Sequence, residues 1–224
     1  MTLLKRMVIA LLLGLGIFVS FVNLPSQLFR IEPRGNYQDA EALVIMGFGF
    51  ERDAEGTIMA GPANQFLLDW ALETYPFIKL MFVQEAVWRS SCSAEARECF
   101  IGDVRLRRID KHDDTLDLRT MDIAVCSIER MKTFDISRAI LVAHDMQLWR
   151  TADSFARAKK ELCPACEFSV APVPDSPYPN QSEQWRNRYE WTYKLVDILA
   201  RVRYHPLIYR EIPQTCPSPM PPSE

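Results

Sequence analysis

An uncharged apolar run near the amino terminus constrains this chain more than any other feature. Residues 7–22 read Met-Val-Ile-Ala-Leu-Leu-Leu-Gly-Leu-Gly-Ile-Phe-Val-Ser-Phe-Val, and the basic pair Lys5 and Arg6 precedes them. At about 1.5 Å per residue, a helix of roughly 16–18 residues spans most of a ~30 Å hydrocarbon layer. Inside lipid the backbone must satisfy its own hydrogen bonds, so the run is expected to be helical. The sequence therefore predicts a transmembrane segment within residues 1–24.

The basic pair also predicts the orientation of that segment. Positive charges stay preferentially on the cytoplasmic side, which sends residues 25–224 outward. A cleaved signal peptide is the alternative, but signal peptides have apolar cores of about 7–15 residues and end in a small-x-small site. This run exits through Phe-Val-Asn-Leu-Pro at 21–25, so a retained signal-anchor is favoured. Both interpretations place the rest of the chain outside the cytoplasm.

The remainder has the composition of a globular domain. Hydrophobic residues make up 48% of the chain and charged residues 25%, and about 200 residues suffice for a sizeable core. The net charge of −3 gives no basic surface of the kind that nucleic acid requires, so nucleic acid is not an expected partner. We expect a tether at 25–40, an α/β domain at 41–210 and a Pro-rich disordered tail at 211–224.

Short apolar runs alternate with helical patterns about five times along the domain. The strand-like runs lie at 42–47, 78–83, 104–109, 139–143 and 168–171, and the helical patterns lie near 62–75, 116–132, 148–162 and 183–204. This alternation predicts a Rossmann-like, mostly parallel sheet with helices on both faces. Ligands bind such sheets beyond the carboxyl ends of the strands, at a switch in strand order.

Polar and glycine residues collect where these runs end. They are Gly47 and Gly49 after the first run, Glu85 after the second, and His144 with Asp145 after the fourth, followed by Arg150 in the next helix. A guanidinium donates two parallel hydrogen bonds to phosphate or carboxylate, and histidine moves protons near neutral pH. We therefore predict a site for a small anionic ligand, with His144 and Asp145 as candidate catalytic groups.

A second polar group follows the third run. His112, Asp113 and Asp114 lie there in sequence, but a solvated acidic loop is the commoner interpretation of such a group, and the spacing does not specify a metal. The sequence thus indicates no metal, and the cofactor, if any, stays unknown.

Three segments of the domain carry a family resemblance. They are Leu-Val-Ile-Met-Gly-Phe-Gly at 43–49, Asp-Thr-Leu-Asp-Leu-Arg-Thr-Met-Asp at 114–122, and Ala-Ile-Leu-Val-Ala-His-Asp-Met-Gln-Leu-Trp-Arg-Thr-Ala at 139–152. Over roughly residues 40–170 the chain resembles the SanA/YdcF-like family of bacterial envelope proteins, a domain of poorly defined biochemistry. The resemblance implies a single-pass protein of the bacterial inner membrane whose domain faces outward and takes an envelope metabolite.

The resemblance also implies further ligand-binding residues. The family's histidine, three residues before its arginine, falls on Gln147, and His144 lies one helical turn earlier. The family's threonine corresponds to Thr120 or to Thr115. The usual Ser-Gly-Gly after the second strand is replaced by Val-Gln-Glu-Ala at 83–86.

The six cysteines suit an oxidising compartment. Cys163 and Cys166 form a C-x-x-C that follows a helix and precedes a strand, which is the wrong end of a helix for an activated thiol, so a structural disulfide is favoured over redox catalysis. Cys92 and Cys99 share a loop and are expected to pair, or to complete a four-cysteine zinc site with the C-x-x-C. Of the two remaining cysteines, Cys126 is expected to pack as a small apolar residue and Cys216 to be free or intermolecular.

Two other functions stay open. The aromatic helix at 183–204 could bind other envelope proteins, which would make the chain a non-catalytic scaffold. Thiol exchange through the C-x-x-C is the less favoured alternative.

Overall fold

The computed structural model describes residues 32–56, 58–109, 120–179, 181, 182, 184, 187–203 and 216, with isolated positions between 7 and 20. Much of the predicted transmembrane segment and most of the predicted tail lie outside the described residues, as do His112, Asp113 and Asp114. Positions 7, 9, 12–14, 16, 19 and 20 are helical. No helix among the described residues is long and apolar enough to cross a membrane.

The centre of the domain is a six-stranded, mostly parallel sheet. Its strands are β1 Ala42–Ile45, β4 Leu80–Val83, β5 Glu98–Ile101, β6 Val104–Arg108, β7 Arg138–His144 and β8 Glu167–Val173, and two further short strands are β2 Glu51–Arg52 and β3 Ile58–Met59. Their order across the sheet is β5-β6-β4-β1-β7-β8, while β2 and β3 form a separate antiparallel pair. β5 runs antiparallel to β6 and the other neighbours pair in parallel. The parallel strands thus follow the doubly wound order, in which the chain starts at the centre and reverses direction at β1 and β7.

Helices cover both faces of this sheet. They are α1 Gly61–Thr74, α2 Glu85–Trp88, α3 Thr120–Thr133, α4 Asp145–Leu162 and α5 Glu190–Arg203. All four residues of β1 are buried, and they alternate between two cores because successive strand residues point to opposite faces. Leu43 and Ile45 pack with α1, α2 and Tyr193 of α5, whereas Ala42 and Val44 pack with α3 and α4. The predicted α/β class and mostly parallel sheet are confirmed.

Several elements differ from the sequence prediction. The two-residue strands β2 and β3, the edge strand β5 and the short helix α2 were not predicted, because none of them has a long apolar period. Helix α4 begins at Asp145 instead of near 148, and His144 is its N-cap residue. This earlier start places both candidate catalytic groups at the junction of β7 and α4.

All six cysteines form disulfides, with pairs Cys92–Cys99, Cys126–Cys216 and Cys163–Cys166. The first and third agree with the predicted pairs. The expectations for the other two cysteines were wrong: Cys126 is buried on α3, but its sulfur is bonded to Cys216. The backbone amide of Cys216 also donates to Glu129 on the same helix, at 3.0 Å. The sequence does not reveal this pair, because its members are 90 positions apart.

Candidate functional site

The reversal of strand order lies between β1 and β7, so the crevice for a ligand is expected beyond their carboxyl ends. The loop after β1 contributes Gly47, Phe48 and Gly49. The end of β7 and the first turns of α4 contribute His144, Asp145, Gln147 and Arg150, which therefore lie on one side of the reversal.

Two buried or partly buried amide side chains hold the loop after β1. The backbone amide of Gly47 donates to Gln84 Oε1 at 2.9 Å, and that of Phe48 donates to Asn64 Oδ1 at 2.8 Å. Asn64 Nδ2 donates in turn to the carbonyls of Gly49 and Ala60. Two backbone donors that a glycine loop could offer to a ligand are therefore occupied within the protein.

Gly49 is nevertheless required by the conformation of this loop. Its φ is +73°, and an added Cβ would lie 2.6 Å from Ser182 Oγ. The predicted ligand-binding role of the two glycines stays a prediction, and at Gly49 the absence of a side chain lets the loop approach Ser182 closely.

The imidazole of His144 is buried and contacted at both nitrogens. Nε2 lies 3.1 Å from the carbonyl oxygen of Ser176, which can only accept, so Nε2 carries a hydrogen. Nδ1 accepts from the backbone amide of Met146 at 3.3 Å and lies 3.0 Å from Asp145 Oδ1. With its hydrogen on Nε2, the neutral ring can accept the Met146 amide hydrogen at Nδ1. A ring with hydrogens on both nitrogens would instead donate from Nδ1 to the Asp145 carboxylate.

Asp145 also caps the helix that it begins. Its Oδ1 accepts from the amide of Met146 at 2.7 Å, where a carboxylate is stabilised by the helix dipole. The Asp145 carboxylate already places a negative charge at the N-terminus of α4. A ligand anion at this edge of the sheet would therefore require a nearby cationic side chain.

Aromatic rings fill the crevice above His144. Phe48 stacks on the imidazole with 3.8 Å between ring centroids. Tyr178 contacts both rings edge-on, and Tyr193 of α5 lies 5.2 Å from Phe48. The sequence prediction missed these three aromatic residues. Phe48 was visible between the two glycines, but nothing in the sequence showed that its side chain turns inward.

Arg150 lies beside this aromatic cluster. Its guanidinium carbon is 5.7 Å from the centroid of the Tyr193 ring. Its Nε is buried and has no hydrogen-bond partner among the described residues. Gln147 Oε1 and Thr151 Oγ1 are likewise buried without a partner. Gln147 shares a helical face with the other two residues, since it precedes them by three and four positions. This group (Gln147, Arg150 and Thr151) is called the α4 polar face below.

The remaining predicted residues lie elsewhere. Glu85 begins α2 beyond β4, where its carboxylate contacts Arg89 at 2.7 Å and Arg108 at 3.2 Å. The Arg89 and Arg108 guanidinium groups already neutralise the Glu85 carboxylate, so its observed role is to form ion pairs within the protein. Thr120 is the first residue of α3 and is half-buried.

The Cys163–Cys166 pair lies away from the crevice. Cys163 is the C-cap residue of α4 and Cys166 precedes β8, so this pair lies at the amino end of β8, opposite to the crevice. No group of three or more His, Cys, Asp or Glu residues that could hold a metal occurs in the described part of the chain. The zinc alternative does not fit four sulfurs that are bonded in pairs.

No protein-family model, curated protein or solved structure matches this chain. The resemblance to the SanA/YdcF-like family therefore stays a prediction, and no activity is transferred to this chain from a relative.

Proposed function

We propose that this chain is an envelope protein, anchored in the bacterial inner membrane, that binds a small phosphate- or carboxylate-bearing metabolite through Arg150. The observation that carries the proposal is the guanidinium of Arg150. It contacts the Tyr193 ring, its Nε is buried without a hydrogen-bond partner among the described residues, and it lies two turns into the helix that begins at the strand reversal.

A buried donor without a partner is costly, because the hydrogen bonds that it made to water are lost. An anion beside Arg150 would restore them and would neutralise the charge. The Tyr193 ring lies at a distance typical of a cation–π contact, and a guanidinium can still donate two parallel hydrogen bonds to an anion.

The rest of the α4 polar face supports the same ligand chemistry. Thr151 can donate its hydroxyl hydrogen to an anion, and the Gln147 amide can present its nitrogen after a simple flip. These two residues and Arg150 would provide donors from one side of one helix. That arrangement favours a compact oxyanion such as a phosphate or a carboxylate.

Catalysis by His144 and Asp145 stays a prediction. His144 Nε2 donates to Ser176 in the observed arrangement, so proton transfer to a ligand would require that bond to be exchanged. Both groups are buried, and Phe48 covers the imidazole of His144, so the proposal is limited to ligand binding.

The outward location is proposed on two grounds. Residues 7–22 are uncharged and preceded by Lys5 and Arg6, which favours an inner-membrane anchor with the domain outside. The three disulfides suit an oxidising compartment. Alkaline carbonate extraction of membranes tests the anchor: the full-length chain should stay in the membrane pellet, and its release would contradict the anchor.

Phosphate binding by the full-length protein in detergent tests the site. Inorganic phosphate should raise the melting temperature of the wild type, because a ligand that binds only the native state stabilises it. The variant Arg150→Gln should lose this response while keeping its far-ultraviolet circular dichroism spectrum. Arg138→Gln, at the opposite end of β7 where the side chain is exposed, is the matched control and should respond like the wild type.

Metabolite identification on the purified protein extends this test. A phosphate- or carboxylate-bearing compound should co-purify with the wild type and be depleted in Arg150→Gln. If Arg150→Gln kept both the ligand and the phosphate response, Arg150 would not be the binding residue and the proposal would be wrong.

A further inference from the structure

Helix α5 exposes an apolar strip on the side away from its buried residues. Trp191, Leu195 and Leu199 are 40%, 37% and 60% exposed, respectively. They are spaced four residues apart and so occupy roughly 80° of the helix circumference. Tyr193 and Asp197 on the inner side are buried. The helix therefore exposes apolar side chains on its outer side in addition to packing on the domain. A surface helix that is only solvated usually has polar residues on that side.

We propose that this strip, Trp191, Leu195 and Leu199, docks on the surface of the lipid bilayer that holds the anchor. The inference rests on the membrane anchor of the proposed function. It adds a second contact, by which α5 lies in the plane of the membrane interface.

The path of the tether supports a lipid occupant. Arg34 pairs with Val170 in β8, with backbone hydrogen bonds of 3.1 and 2.8 Å, and Tyr37 donates to the Val170 carbonyl. The chain thus joins the domain at the β8 edge of the sheet. Tyr193 of α5 packs in the same core as Ala171 and Val173 of that strand, and Tyr37 packs against this core, so the tether and α5 contact the same face of the sheet.

The length of the tether limits how far that edge of the domain can move from the bilayer. Arg34 lies twelve positions after the end of the apolar run at 22, and a fully extended chain of this length spans only about 40 Å. A domain of this size is also about 40 Å across, so the edge that joins the tether meets the lipid more often than the opposite edge. A second protein would have to be recruited, whereas the membrane is always present.

The composition of the strip fits the interface between lipid and water. Tryptophan is enriched at membrane interfaces because its ring is apolar while its N–H can stay hydrated. Leucines one helical turn apart on the same side form the shallow apolar face of a helix that lies on a bilayer instead of crossing it.

Quenching of tryptophan fluorescence by brominated lipid tests the docking. The full-length protein is reconstituted into vesicles of phosphatidylcholine and phosphatidylglycerol, with or without bromine on the acyl chains near the headgroups. None of the five tryptophans lies before Trp70, so the anchor itself gives no signal. We expect quenching in the wild type, most of which disappears in Trp191→Phe.

Charged substitutions separate docking from folding. Leu195→Glu with Leu199→Glu should lower the ratio of docked to undocked protein by at least roughly tenfold, since burial of an exposed leucine is lost at each position. Phe100→Glu, on β5 at the far edge of the sheet and 62% exposed, is the matched control and should be quenched like the wild type. Circular dichroism verifies that each variant is folded.

The outcomes distinguish docking from anchoring. Protein that stays with the vesicles in carbonate but shows no bromine-dependent quenching of Trp191 would overturn docking and leave the anchor intact. Quenching that is absent at high protein density and appears only on dilution of the protein within the vesicles would identify a second copy as the occupant, which also overturns the proposal. Release by carbonate would refute the anchor and the docking together.

Discussion

Phe48 lies flat against the imidazole of His144, with 3.8 Å between the ring centroids and 22° between the ring planes. The phenyl ring comes from the loop after β1 and the imidazole from the end of β7. The contact therefore joins the two strands at which the sheet reverses its order. It also closes, in the observed conformation, the space in which a doubly wound sheet commonly holds a ligand.

Removal of the Phe48 ring should destabilise the domain and expose His144. Phe48→Ala is expected to lower the free energy of unfolding by about 3–5 kcal/mol, as for other buried phenylalanines, and to speed modification of His144 by diethyl pyrocarbonate. Urea unfolding and peptide mass spectrometry measure the two effects. The exposed Phe100→Ala should change stability by less than about 0.5 kcal/mol. Equal modification rates in Phe48→Ala and wild type would show that the ring does not shield His144.

Asn64 should be the most sensitive polar residue of the β1 loop. Its side chain is buried and bonds to Phe48, Gly49 and Ala60, so Asn64→Ala removes hydrogen bonds to three backbone groups. We expect a loss of about 2–4 kcal/mol in the free energy of unfolding, measured by urea titration. Gln65→Ala, on the next position, loses a hydrogen bond to the exposed Asp69 and should cost far less. Similar losses in both variants would contradict the buried role of Asn64.

The disulfide from Cys126 to Cys216 should stabilise the domain more than the one from Cys163 to Cys166. Their sequence separations are 90 and 3, and chain-entropy arguments give about 4–5 and about 2 kcal/mol, respectively. Paired Cys→Ala variants, compared by guanidinium unfolding under oxidising conditions, measure the difference. A larger loss from the Cys163–Cys166 pair would reverse this ranking.

The carboxylate of Glu41 should make stability fall in acid. It accepts hydrogen bonds from the backbone amides of Ser137 and Arg138 at 2.9 and 2.8 Å, and these bonds, led by that from Ser137, lower its pKa below the usual 4.5. A lowered folded pKa stabilises the native state above about pH 4.5, and this stabilisation disappears as the pH falls through the folded pKa.

Glu41→Gln tests this dependence. The variant should be less stable than the wild type at pH 7, by under about 1 kcal/mol because the group is largely exposed, and the difference should shrink progressively as the pH falls below about 4.5. Free energies of unfolding between pH 7 and pH 3 measure it. Glu73→Gln, at an exposed position on α1, controls for the general loss of a negative charge. A difference that persisted unchanged at pH 3 would contradict a carboxylate-specific effect.

The sheet was largely predictable because its strands are buried on both faces. The runs at 42–47 and 139–143 have no polar residue within them, and they became β1 and β7. The edge strand β5 was not predictable in this way. It pairs with a single strand, β6, and its sequence, Glu-Cys-Phe-Ile, mixes polar and apolar residues. Its pairing with β6 depends on tertiary contacts that no local period reveals.

The positions of the candidate residues in the fold could be predicted from the sequence. The side chains that pack around them in the crevice could not. The rule that ligands bind at strand ends led to His144, Asp145 and Arg150, which lie at the β7–α4 junction. It could not show that Phe48 occupies the crevice, nor that Asn64 holds the loop, because both depend on side-chain direction across long sequence distances. The pairing of Cys126 with Cys216 was missed for the same reason.

The Cys126–Cys216 bond encloses β7, α4, β8 and α5 in one covalent ring. Every element of the candidate site except the β1 loop belongs to this ring. Chain ends and terminal helices are usually the first parts of a domain to fray. Arg203, the last residue of α5, lies thirteen positions before Cys216, so the closed ring limits how far fraying can carry the end of this helix from α3. Reduction of the disulfide, whose Cys126 partner is buried on α3, would remove that limit.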